Sequence, residues 1–168
     1  MPETLAIMIT MTTYGTWLRG DMRGWVERGG RVLPPNPPLE AADRARMKHP
    51  VFLFDESRLL DIGAAIGKSL RERLGLRILA MAVRTWHVHT VIAATEHRLP
   101  KIVKCAKDAA RWELRPGRPI WTEGYDRRFC FDEESVRRRI EYVERHNTEM
   151  GLPAKPWDFI EDYPFSPR

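Results

Sequence analysis

The stretch "TWHVHTVIAA", residues 85–94, is apolar and β-branched like a buried strand, yet it carries two histidines. Along a strand, side chains i and i+2 project to one face about 6.5–7 Å apart. His87 and His89 therefore share a face, and Trp86, Val88 and Thr90 share the other. Two imidazoles so placed can converge on one metal ion when a third ligand arrives from elsewhere. The plainer alternative is one solvent-facing histidine beside one hydrogen-bonded within the sheet. A second feature lies in "DEESVRRRIEYVERHN", residues 132–147. At helical spacing Val136, Ile140 and Val143 form one stripe, and Tyr142 lies about 120° from it. His146 follows one turn later on the same flank, and Arg139 shares that side. Alternatively, Tyr142 is a boundary tyrosine and His146 a partner of the helix C-terminal dipole.

The chemistry that would unite these residues is phosphoryl transfer. A metal with three protein ligands and open positions can bind the non-bridging oxygens of a phosphodiester and neutralise developing charge. A tyrosine placed in line can attack phosphorus, and the covalent link conserves bond energy for rejoining. Tyr125, beside Arg127 and Arg128, is the rival nucleophile, without a ligand at i, i+4. Three histidines with an open position also describe a zinc hydrolase that activates water without Tyr142.

The elements that must position these groups follow from periodicity. "LAIMITMTT" (5–13) reads as a first strand. Residues 55–74 read as an amphipathic helix through Leu59, Ile62, Ile66 and Leu70, with Asp55 as cap and Gly75 as stop. Residues 76–85 are apolar on both faces, as in a central strand, and form a hairpin with the histidine strand, turning near Arg84 to Trp86. A second helix starts near Pro100 and runs to about Arg115. Residues 117–131 read as an irregular stretch leading into a short strand, before the third helix, 132–147. Residues 14–50 form a Gly/Pro-rich insertion, in which four prolines within 34–38 are expected to exclude helix and central strand. The tail, 152–168, is rich in proline and aromatics and is expected to pack as irregular chain. This order predicts one domain over 1–168: an α+β sandwich, an antiparallel sheet with helices on one face.

Lys plus Arg number 28 against 23 Asp plus Glu, a net charge of +5 that favours an anionic partner such as nucleic acid. Lys104, Lys107, Arg111 and Arg115 share a helical stripe that either tracks phosphates or is a solvated face. Tyr14, Trp17 and Trp25 alternate with Arg19, Arg23 and Arg28, a set that either stacks unpaired bases or pins the insertion to the domain. Cys105 and Cys130 lack the paired spacing of a disulfide scaffold or a cysteine zinc site and fit a reducing cytoplasm. "MPETLAIMITMTT" lacks the basic region of a signal peptide, and no apolar run approaches the roughly 20 residues of a membrane span. A soluble, cytoplasmic protein is expected, without a membrane partner.

"ILAMAVRTWHVHTVI" resembles the strand–turn–strand that carries the His-hydrophobic-His motif of single-tyrosine HUH transposases. "PIWTEGYDRRFCFDEESVRRRIEYVERHNTEMGL" resembles their later segment, in which a Trp-containing stretch leads to the helix bearing the nucleophilic tyrosine. The likeness is to the REP-associated tyrosine transposases in particular and covers roughly residues 76–165. It implies the ferredoxin/RRM-like sandwich of HUH nucleases, with His87 and His89 as the metal pair and Tyr142 as nucleophile. The third ligand maps onto His146, with Asn147 next in line. It further implies Mg2+ or Mn2+, hairpin-bearing single-stranded DNA as substrate, a 5′-phosphotyrosine intermediate and a possible homodimer. The DNA contacts expected are Lys104, Lys107, Arg111, Arg127, Arg128, Arg139, Trp17 and Trp25. Thr85-Trp86 stands where many relatives have Pro-Asn, Asn147-Thr148 where Asn-Pro is common, and the insertion is additional. An all-histidine set would be softer and more tolerant of Mn2+ or Zn2+. A transposase relative that binds hairpin DNA or RNA without cutting it is a further reading.

Overall fold

The computed structural model describes residues 2–27 and 30–167. In chain order the elements are β1 (Ala6–Thr12), β2 (Trp25–Val26), β3 (Val32–Leu33), α1 (Pro37–Arg46), α2 (Leu59–Leu74), β4 (Ile78–Val83), β5 (His87–Ala93), α3 (Leu99–Leu114), β6 (Asp126–Cys130) and α4 (Glu133–Glu149). Without the insertion that carries β2, β3 and α1, the order is βαββαβ followed by one more helix. The sheet runs β4-β5-β1-β6 with every neighbour antiparallel. This is the expected α+β sandwich of ferredoxin-like topology.

β1 is apolar on both faces, so both faces of the sheet need covering. Ile7, Ile9 and Met11 join Ile62, Ile66 and Leu70 of α2 and Ile102, Val103 and Ala106 of α3 in one core. Ala6 and Met8, with the opposite parity, join Val136 and Val143 of α4 in a second. Each buried Ile or Leu in such a layer contributes about 1.5–3 kcal/mol. The expectation of helices on one face is corrected here: α2 and α3 cover one face and α4 the other. Period-3.6 patterning marks the apolar stripe of a helix but not which side of the sheet receives it. β4 is likewise corrected from a central to an edge strand. It is buried along its whole length because α2 and α4 cover its two faces.

The tail closes that edge. It has no regular structure, as expected, but is firmly packed. Trp157 and Phe159 lie on α2, where the missing side chains of Gly63 and Gly67 make room: a Cβ would meet Trp157 at 2.0 Å and Phe159 at 2.1 Å. The Glu161 N–H then donates to the Ile78 carbonyl on β4, and Tyr163 and Phe165 reach the α4 layer. An exposed sheet edge is a template for unwanted pairing, and this wrap removes one.

The insertion is more regular than expected. Pro37 and Pro38 occupy the first positions of α1, where a helix has no use for their missing N–H groups, and the Asn36 side chain accepts from the Leu39 N–H as N-cap. Proline excludes helix interiors, not helix starts. Trp25 is only 9% exposed and donates from its indole to the Pro34 carbonyl, which pins the β2–β3 hairpin. No described helix is long and apolar enough to cross a membrane.

Candidate active site

His87 and His89 sit on β5 opposite Thr12 and Thr10 of β1, on the sheet face that α4 covers. Their ring centroids are 4.5 Å apart. Across from them on α4, the His146 ring lies 5.5 Å from His87 and 4.7 Å from His89. One nitrogen from each of the three rings falls within 4.8 Å of the other two. A strand of period 2 and a helix of period 3.6 thus bring three imidazoles to one point.

Hydrogen bonding fixes which nitrogens face inward. His146 Nδ1 lies 2.8 Å from the Tyr142 carbonyl, which can only accept, so Nδ1 donates and Nε2 is the nitrogen left for other partners. His89 Nδ1 meets the Thr10 hydroxyl at 2.7 Å, leaving Nε2 unengaged. His87 is buried, and neither of its ring nitrogens has a hydrogen-bond partner. Burial, followed by the charges of His146, Arg84 and Arg23, holds the His87 imidazole down at about 3. Burial, followed by His87, His146 and Arg84, holds His89 at about 2. Both rings are therefore neutral at physiological pH, as metal ligation requires. An orphaned buried nitrogen costs about 1–3 kcal/mol unless something engages it. The donor set fits a divalent cation: three convergent imidazoles, two of them held neutral by burial, with one ligand already oriented by a hydroxyl behind it.

Tyr142 stands beside this centre, its ring 5.4 Å from His89 and 4.8 Å from His146. It is 38% exposed, so part of the residue faces solvent. Asn147, next in line as a third ligand, has an Oδ1 that is buried and without a hydrogen-bond partner. It is fully buried and donates from Nδ2 to the carbonyls of Met81 at 2.8 Å and Ala154 at 3.0 Å, tying α4 to β4 and the tail. Tyr125 packs against the α2–α3 core on the opposite layer from the histidines.

Two contributors, Thr10 and Arg84, were not picked out from the sequence. Thr10 orients His89; its signal was a threonine interrupting an otherwise apolar strand. Arg84 donates to the His146 carbonyl at 3.1 Å and pairs with Glu149 at 2.7 Å, holding the C-terminal turn of α4 over the hairpin. Arg23, held by Asp21 and by the Thr16 carbonyl, stacks 3.9 Å over Trp17 and 5.1 Å from Trp86, whose ring contacts His87 at 4.0 Å. The insertion therefore reaches the histidines through a Trp17–Arg23–Trp86 stack. Arg28 lies outside the described residues.

The remaining basic candidates divide between layers. Arg128, opposite Met8, projects to the α4 face and pairs with Asp126 at 3.1 Å, and Arg139 lies on the Tyr142 flank of α4. Lys104, Lys107 and Arg111 sit on α3, in the other layer. Lys107 is engaged structurally, donating to the Thr122 and Gly124 carbonyls at 2.9 and 2.8 Å.

No family model matches the chain, and no curated protein matches it by sequence. Among solved structures, a REP-associated tyrosine transposase bound to a REP hairpin is similar at TM-score 0.52 and 13% identity, covering 95% of this chain and 78% of that one. A candidate transposase from Deinococcus radiodurans is similar at TM-score 0.44 and 17% identity, covering 87% of this chain and 93% of that one. The first likeness defines the class of fold: this chain has the α+β fold of a tyrosine transposase.

Proposed function

We propose that this protein is a single-tyrosine HUH transposase, a metal-dependent enzyme that cleaves and rejoins hairpin-bearing single-stranded DNA through a 5′-phosphotyrosine. The observation that carries this reading is the Tyr142 ring at 4.8 Å from His146 and 5.4 Å from His89, beside three convergent imidazoles. A zinc hydrolase would activate water without needing that phenol.

His87, His89 and His146 would hold the cation, and an all-nitrogen donor set favours Mn2+ over Mg2+. When bound, it supplies charge neutralisation at the non-bridging oxygens of the scissile phosphate. Thr10 keeps the His89 ring oriented, and Arg84 holds the helix turn that carries His146. Tyr142 Oη attacks phosphorus and gives its proton to solvent on its exposed side. The P–O3′ bond breaks, and the 3′ oxygen leaves and takes up a proton as a hydroxyl. The DNA 5′ end remains joined to the tyrosine. Attack of another 3′-hydroxyl on that phosphotyrosine reverses the sequence and joins strands. Arg128 and Arg139 on this face, with Trp17 at its border, are suited to phosphates and unpaired bases.

The test is denaturing electrophoresis after incubation with hairpin-bearing single-stranded DNA and Mn2+. The wild-type chain should give a protein–DNA band that survives heat and detergent, and Tyr142→Phe should give none. His146→Ala should slow its formation and be partly relieved by excess Mn2+. Metal-dependent cutting without any covalent band would favour the hydrolase; binding with neither cutting nor band would favour a non-catalytic DNA-binding role.

A further inference from the structure

The face of the sheet away from the histidines has an uncovered margin. Arg127 and Phe129 stand opposite Ile9 and Ile7 of β1, so they project toward the α2–α3 layer. Those isoleucines are buried under the helices, but Phe129 on the edge strand is 42% exposed. Phe131, two residues on, is 49% exposed and stacks on Phe129 with planes 14° apart and centroids at 6.3 Å. Tyr125, two residues before Arg127, is partly buried against the same core. Tyr125, Arg127, Phe129 and Phe131 thus form one stripe of period two. Facing its Tyr125 end is a cavity of about 360 Å3 between α3 and residues 121–125, lined by Lys104, Arg111 and Tyr125 among others.

From this arrangement we infer a second single-stranded DNA site on the α3–β6 face, in which bases stack on Tyr125, Phe129 and Phe131 while phosphates lie on Lys104, Arg111 and Arg127. Exposed aromatics interleaved with cations are what unpaired nucleic acid requires: every base has a π-face, and a basic groove tracks the backbone. The Arg127 guanidinium already lies 6.0 Å from the Phe129 ring. Asp108 pairs with Lys104 at 2.6 Å and Arg111 at 3.5 Å, but one carboxylate leaves two cations in excess of charge, and exposed pairs of this kind yield readily to phosphate. Lys107 ties the 122–124 loop to α3 and so keeps the cavity wall in place. The site rests on the DNA-processing reading for the identity of its polymer, not for its geometry.

The experiment measures affinity of the full chain for an unstructured oligothymidine of about 15 nucleotides, by fluorescence anisotropy over a salt series. Phe129→Ala/Phe131→Ala should weaken binding by roughly tenfold or more at an unchanged salt slope. Lys104→Ala/Arg111→Ala should reduce the slope of log affinity against log salt by about 1.4, the value for two phosphate contacts on a single strand. Both double variants should retain wild-type Mn2+ binding. If both double variants bind it like wild type, the inference is overturned, whatever the fate of covalent cleavage. Tighter binding of oligouridine than oligothymidine would overturn the choice of DNA. Sedimentation showing a dimer that Phe129→Ala/Phe131→Ala dissociates, with oligothymidine affinity unchanged, would make the stripe a subunit interface instead.

Discussion

His87 is the residue on which stability and the proposed chemistry pull in opposite directions. Its two buried nitrogens have no protein partner, a cost that a bound cation would offset. His87→Leu should therefore hold or raise the stability of the metal-free protein, by up to about 1–3 kcal/mol, while abolishing Mn2+ binding measured by calorimetry. Retained Mn2+ affinity would exclude it as a ligand. The acid dependence follows from the same burial. Because folding lowers His87 to about 3 and His89 to about 2 from 6.5, the unfolded chain binds protons first as pH falls. The contribution of neutral histidine to stability is complete above pH 6.5 and is lost on the way down toward 3, by up to about 1.4 kcal/mol per pH unit per group. His87→Leu/His89→Leu should flatten the denaturation midpoint of metal-free protein between pH 6.5 and 4; an unchanged profile would count against the two rings being buried and neutral. These residues were legible because spacings of two on a strand and four on a helix specify shared faces without any tertiary knowledge. The environments of His146 and Asn147 were not: the two are adjacent, and only the packing ties the Asn147 Nδ2 to Met81 and Ala154 while His146 joins the other two imidazoles.

At the scale of elements, α2 is shaped by what it lacks. Gly63 and Gly67 would each gain about 1 kcal/mol in helix propensity on replacement by alanine. The space for the new methyl is already filled by Trp157 and Phe159. Gly67→Ala should thus lower stability by about 1–3 kcal/mol in chemical denaturation, the cost of overpacking, rather than raise it. A stabilised Gly67→Ala would show that the tail is not seated on α2. Helix stripes and the hairpin turn were readable locally because they depend on neighbours in sequence. The face of the sheet taken by α4 and the edge position of β4 depend on chain returning from far away. α1 was hidden by a different cause: its prolines and Asn36 are start signals that resemble a loop until the following residues are weighed with them.

Across the whole molecule the sheet separates the two proposed sites. The proposed chemistry lies under α4, and the stacking stripe lies on the α3 side, so changes on one side should leave the other intact. Cation binding would report on the first alone. At a hundredfold excess over its dissociation constant, Mn2+ should stabilise the fold by about 2.7 kcal/mol. That corresponds to a rise of several degrees in melting temperature for a chain of this length. His89→Ala should erase the rise, and Phe129→Ala/Phe131→Ala should leave it; a rise that survives His89→Ala would place the cation elsewhere. The central claim, that Tyr142 forms the covalent bond to DNA, is met most directly by mass spectrometry of the protein–DNA adduct after nuclease trimming and trypsin digestion. The account predicts nucleotide mass on the peptide spanning residues 140–145, carried by Tyr142. Nucleotide mass on Tyr125, or on any residue other than Tyr142, would contradict it.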